Sequence, residues 1–143
     1  MSAGPQITRL AWRGEHRFEV GRPGGPTIHL DASGRTGPSP VDALLGALAG
    51  CISVDVVDIL AKRRTPVASL DVDVTGDRAD TTPRYLTHAS LAFTITGDGI
   101  ERVHAERAID LAITKYCSVR DSLRDDLVVD WTLTLNGEPP AAA

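Results

Sequence analysis

Apolar and polar positions alternate from the start of the chain. Thr8, Leu10 and Trp12 alternate with Arg9, Ala11 and Arg13, and Phe18 and Val20 with Arg17 and Glu19, which predicts two short strands over residues 6–13 and 16–20 with Gly14 in the turn. Gly21-Arg22-Pro23-Gly24-Gly25-Pro26 reads as a loop, Thr27 to Leu30 as a third strand, and Ala32 to Gly37 as a further loop. The pattern then changes. Ser39 is a good N-cap, Pro40 suits the first helical position, and Asp42 stands three residues after Ser39, close to a capping-box spacing. A helix is predicted from there to about Lys62. Lys62-Arg63-Arg64 complements its C-terminal dipole, and Pro66 forbids continuation.

Strand periodicity returns with Leu70, Val72 and Val74. It resumes from Arg84 to Thr96, with Ala89, Leu91, Phe93 and Ile95 on one face, and the polar text from Gly76 to Pro83 joins the two as a hairpin. A second helix is predicted to open at Asp98, with Glu101 three later and an apolar side of Val103, Ala108, Leu111, Ala112 and Tyr116. Ser118 and Asp121 repeat that spacing, which predicts a short helix just past Cys117. The last strand runs from Leu127 to Leu135, and Asn136 to Ala143 reads as a loose tail. The order β-β-β-α-β-β-α-β is an α+β fold with two main helices and a largely antiparallel sheet. It is expected to be a single domain over residues 1–143, ordered over about 6–135.

The first helix is unusual in being apolar nearly all the way round between Val41 and Ala61, so it must be covered on every side. One small sheet and one other helix cannot do this in a monomer, and a homodimer is the simplest solution. Gly46 and Gly50, four apart, would let a second backbone approach closely. Asp55 and Asp58 within this stretch argue against a membrane span.

The chain has 143 residues, 24% of them charged and 42% apolar, which suits a soluble protein with one core. The net charge of −4 and the lack of a basic cluster exclude nucleic acid as an expected partner. The start Met1-Ser2-Ala3-Gly4-Pro5 has neither the basic nor the apolar region of a secretory signal, so a cytoplasmic location is expected. Thiols are kept reduced there, and a disulfide would more often be transient than structural.

The two cysteines, Cys51 and Cys117, fall on separate helical segments. If the fold brings them together, the chemistry on offer is thiol redox; otherwise both are inert core residues. Cys51 shares a helical stripe with Asp55, Asp58 and Lys62, and those carboxylates would raise a thiol pKa. A reactive Cys51 would therefore need a cation from elsewhere, with Arg9, Arg13, Arg17, Arg22 and Arg35 as candidates. Cys117 lies near backbone N–H groups and Lys115, an environment expected to favour a thiolate and to suit a resolving thiol. His16, His29, His88 and His104 stand at no metal-binding spacing, and no phosphate loop or serine nucleophile elbow is present.

Ser39-Pro40-Val41-Asp42-Ala43-Leu44-Leu45 leading to Gly50-Cys51, then Asp55-Val56-Val57-Asp58-Ile59-Leu60, and later Lys115-Tyr116-Cys117-Ser118-Val119, resemble the OsmC/Ohr family of osmotically inducible protein C and organic hydroperoxide resistance proteins, nearest its OsmC-like branch. The element order agrees over about residues 6–135. The resemblance implies an intertwined homodimer with its active sites at the subunit interface. It further implies a peroxide-attacking thiol at Cys51, a resolving thiol at Cys117, an assisting N-terminal arginine for which Arg13 is preferred, and an assisting glutamate near the start of the first helix. The sequence departs at that glutamate, where it reads Val41-Asp42. The function expected is a peroxiredoxin-type, thiol-dependent peroxidase. It would reduce organic hydroperoxides with an external thiol, dithiol or lipoyl donor and no bound cofactor. The alternative is a non-catalytic protein of the same fold that binds a small molecule in the interface cleft.

Overall fold

In a computed structural model, residues 3–141 are described. The chain divides into two compact units, Met1–Leu44 and Leu45–Ala143.

The first unit is an antiparallel meander of β1 (Arg9–Trp12), β2 (Arg17–Gly21) and β3 (Thr27–Asp31). Its register pairs Leu10 with Val20, Trp12 with Phe18, Phe18 with Leu30 and Val20 with Ile28, so the apolar residues all share one face. That face is left largely open, with Trp12 65% and Ile28 57% exposed. The loop after β3 is built around the buried carboxylate of Asp31. It accepts hydrogen bonds from the Ser33 N–H (2.9 Å) and hydroxyl (2.6 Å) and from the Thr36 N–H (3.0 Å) and hydroxyl (2.7 Å). These donors, the Ser33 hydroxyl foremost, hold Asp31 well below the usual carboxylate range.

The helix α1 (Pro40–Lys62) starts as the sequence predicts. The Ser39 N–H donates to Asp42 Oδ2 (2.9 Å) and the Asp42 N–H to Ser39 Oγ (3.1 Å), a reciprocal capping box with aspartate in the glutamate's place. By length and composition α1 could cross a bilayer, but one stripe of it, Leu48, Ala49, Ile52, Val56 and Leu60, is buried in the core of the second unit. Burial of each larger side chain contributes about 1.5–3 kcal/mol.

The sheet of the second unit has the order β4 (Ser69–Arg78), β5 (Leu86–Thr96), β6 (Val128–Leu135). The β4–β5 pairing is antiparallel, and β4 runs through Gly76 and Asp77, which the sequence pattern assigns to the turn, with a bulge at Asp77/Arg78. Gly76 leaves room there, since a Cβ would stand 3.0 Å from the Leu45 and Leu86 methyls. The β5–β6 pairing is parallel, since the chain crosses over through α2 (Arg102–Leu111) between them. The described sheets are thus largely antiparallel, with this one exception.

The second helix does not open at Asp98. Gly99 has φ +74°, and Glu101 is the extended N-cap, without a side-chain cap bond. The buried side of α2 is Ala105, Ala108 and Ile109, continuing to Ala112, whereas Val103 and Tyr116, expected on that side, are exposed. The segment after β6 is tied down further than its polarity suggests. Asn136 exchanges two 3.0 Å hydrogen bonds with the Gly97 backbone, and Arg102 donates to the carbonyls of Glu138 (2.9 Å) and Pro139 (3.1 Å).

Candidate functional site

Cys51 sits in the middle of α1, half-buried at the border of the core stripe. Cys117 reaches it by a local irregularity. The last turn of α2 widens into a π-helical segment, Ala112–Tyr116, and the Cys117 N–H closes it on the Ala112 carbonyl at 2.8 Å. Such π-turns recur at functional sites because they displace the residues that follow. Cys117 then takes an extended conformation and caps α3 (Ser118–Asp121), its Sγ accepting the Arg120 N–H at 3.2 Å. The short helix past Cys117 is where the sequence predicts it.

The two thiols are neighbours that shift each other's pKa, and both are free. The turn at 117–119 lies against Cys51, where the Val119 N–H, the Cys117 thiol and Ser118 each act on its pKa. These donors, the Val119 N–H first, hold the Cys51 thiol below the ordinary thiol range against the opposing effect of burial. Cys117 moves the other way. Burial pushes its thiol up, and the adjoining Cys51 sulfur adds to the rise.

Two sequence expectations are corrected here. Cys51 is not raised by the carboxylates of its helical stripe; the 117–119 turn lowers it with hydrogen-bond donors rather than with a cation. Cys117 is not the thiol favoured as thiolate, and Lys115 instead places its ammonium 5.4 Å from the centre of the Tyr116 ring. The residues missed were Ser118 and the Val119 backbone. Their signal was the capping spacing directly after Cys117.

Asp42, at the position of the expected glutamate, is engaged in the capping box, and the Ser39 N–H and hydroxyl hold it below the usual carboxylate range. Arg13 lies in the first unit, in the β1–β2 turn, where its N–H donates to the Arg17 carbonyl at 2.9 Å. That unit contains no cysteine. Among the described residues no three His, Cys, Asp or Glu side chains converge as a metal site.

The sequence model of the OsmC-like proteins matches residues 32–132, which includes α1, both cysteines and most of the second sheet. The chain belongs to the OsmC-like protein family. It is 42% identical to the protein YhfA of Escherichia coli K12 over 96 residues, 66% of this chain and 72% of that protein. Its fold is similar to an OsmC-like protein of Mycoplasma pneumoniae (19% identity, TM-score 0.78, covering 94% of this chain and 99% of that one). It is also similar to the organic hydroperoxide resistance protein OhrB of Bacillus subtilis (13% identity, TM-score 0.60, covering 90% and 98%). At these identities the two structures establish the α+β OsmC-like fold. YhfA, the nearer in sequence of these three, carries no activity in its name.

Proposed function

We propose that this OsmC-like protein is a thiol-dependent peroxidase acting on organic hydroperoxides. The observation that carries the reading is the juxtaposition of the two thiols, with Cys51 shifted down by the 117–119 turn and Cys117 shifted up by burial. As thiolate, Cys51 attacks the terminal peroxide oxygen, the O–O bond breaks, and Cys51 becomes a sulfenic acid while the alkoxide takes a proton and departs as alcohol. The Cys117 sulfur then displaces hydroxide from the sulfenic acid. Its proton and the hydroxide leave as water, and a disulfide remains. Two electrons from an external dithiol restore both thiols. A reducing compartment such as the cytoplasm supplies that donor.

An arginine head group beside the Cys51 sulfur would favour the enzyme, and a sulfur enclosed by aliphatic side chains the binding-protein alternative. The downward shift of Cys51, led by the Val119 N–H, supports the enzyme. Arg13 remains the proposed assisting cation, and Arg13→Ala should slow the peroxide step. Asp42 is not given the glutamate's role.

The working unit proposed is a homodimer. Two open apolar surfaces support it: the face of the first sheet that carries Trp12 and Ile28, and the side of α1 that carries Val54 (60% exposed) and Val57 (41%). The test of the catalytic reading is consumption of an organic hydroperoxide with a dithiol donor. Turnover that Cys51→Ser abolishes supports it, and wild-type turnover in Cys51→Ser overturns it.

A further inference from the structure

The turn that carries Cys117 has little of its own to keep it in place. The helix α3 is four residues long and fully buries none of them, and a helix of about one turn is not stable by itself. Its entry is fixed by the π-turn, through the Cys117 N–H on the Ala112 carbonyl at 2.8 Å. Past it, the half-buried Arg120 ties the turn to the sheet. Its guanidinium donates through Nη1 to the Arg124 carbonyl (3.2 Å) and through Nη2 to the Leu127 carbonyl (2.8 Å). Both acceptors belong to one closed turn, since the Leu127 N–H donates to the Arg124 carbonyl at 3.1 Å. Leu127 is buried and stands directly before β6. The N–H of the same Arg120 donates to Cys117 Sγ at 3.2 Å. One residue therefore meets the sulfur with its main chain and the entry of β6 with its side chain.

We propose that Arg120 is a positioning residue for the thiol pair: its guanidinium fastens the 117–121 turn to the entry of β6 and so holds Cys117 and the Val119 N–H against Cys51. The inference rests on the proposed reading in which the two sulfurs act on one another. The guanidinium bonds carbonyls and no sulfur, so it acts through the turn. Arginine suits this task because its planar fork presents several N–H groups in fixed directions. A lysine ammonium is a point charge on a flexible stem and does not reproduce that geometry. Placement matters because a sulfur–sulfur bond forms over a narrow range of separations. A displacement of about 1 Å can slow an oriented reaction by about a hundred-fold.

The test uses one equivalent of dithiobis(nitrobenzoate) and no peroxide, so failure of the peroxidase reading leaves it intact. Whichever thiolate reacts first displaces one thionitrobenzoate and becomes a mixed disulfide. The other thiol gives up its proton, and its sulfur attacks the protein sulfur of that mixed disulfide and releases the second thionitrobenzoate. This second release is independent of protein concentration, and its rate reads how the two sulfurs are placed. The wild-type protein should release both equivalents. Arg120→Met, folded by circular dichroism, should slow the second release at least about ten-fold, and the midpoint of Cys51 alkylation should move up as the Val119 N–H withdraws. Arg120→Lys, a milder change that keeps the charge and loses the fork, should show both defects. Arg124→Met, which removes a neighbouring guanidinium and leaves the accepting carbonyl, should behave as wild type. An unchanged second release and midpoint in folded Arg120→Lys overturns the proposal, because charge would then suffice. An equal slowing in Arg124→Met, or a wild-type protein that releases only one equivalent, overturns it as well.

Discussion

Cys51 and Cys117 shift each other's pKa in opposite directions, Cys51 lowered and Cys117 raised, while the Arg120 N–H donates to Cys117 Sγ at 3.2 Å. The pair is therefore asymmetric before any chemistry. One sulfur is prepared to carry charge and the other holds the proton. That division matches what a peroxide-attacking thiol and its resolving partner each require, and it arises from backbone geometry at the π-turn rather than from a neighbouring cation.

The asymmetry predicts a pH profile. Because Cys51 lies below the ordinary thiol range, its alkylation by iodoacetamide should rise with pH and reach half its maximum below the pH needed by an unperturbed cysteine peptide. Cys117, displaced upward, should lag behind it. The lowered value of Cys51 stabilises the fold above the unfolded thiol pKa, a contribution lost as pH falls through the folded value. Peptide mapping of the alkylated sites reads both curves, and equal rates at the two cysteines contradict the asymmetry.

Ser118→Ala removes one donor from Cys51 and leaves the Val119 N–H in place. A donor to the thiolate favours the charged form, so the alkylation midpoint should move up, and by less than loss of the larger Val119 N–H contribution would move it. Ser118 is exposed, and thermal stability should change little. An unmoved midpoint excludes the hydroxyl from the site.

Away from the thiols, His88 on β5 is held by Asp130 of β6 at 2.5 Å and by Asp77 of β4 at 3.4 Å. Asp130, then Asp77, raise the pKa of His88, while Ser90 and then His88 lower that of Asp130. The His88 contribution is complete below its unfolded pKa and lost as pH rises through the raised value. The Asp130 contribution is present above its unfolded pKa and lost as pH falls through the lowered one. Asp130→Asn should therefore lower Tm more at pH 5.5 than at pH 9. His88 is half-buried and Asp130 exposed, so the difference should be small and should shrink in high salt. A Tm difference independent of pH contradicts the assignment.

The open apolar surfaces predict a dimer at micromolar concentration that buries more than about 2,000 Å². Val54→Asp, at a 60% exposed α1 position, should weaken it markedly in sedimentation velocity. A wild-type chain that sediments as a stable folded monomer contradicts the proposed assembly.

Much of the framework was legible in the sequence because it is written in local chemistry. Ser39, Pro40 and Asp42 announce the start of α1, and Lys62 its end. The alternation of Leu91, Phe93 and Ile95 with polar residues gives the buried face of β5. What failed depends on tertiary context or on single dihedral angles. Asp98 looked like a cap, but positive φ at Gly99 delays the helix to Arg102. The parallel β5–β6 pairing is fixed by where α2 returns the chain. At the site, both cysteines were readable as residue types, and their relation only through the family resemblance. A helical wheel places Asp55 and Asp58 on the stripe of Cys51 but cannot show the Val119 N–H arriving from a turn far along the chain. The widening over Ala112–Tyr116, which brings that turn into place, has no signature in the periodicity.

The central claim is tested most directly by titrating free thiols and mapping sulfur states by mass after one equivalent of an organic hydroperoxide. The wild-type protein should lose both thiols and yield a Cys51–Cys117 disulfide. Cys117→Ser should stop at a sulfenic acid on Cys51, and Cys51→Ser should leave Cys117 reduced. Wild-type protein that keeps both thiols free, or becomes oxidised at Cys117 alone, contradicts the account.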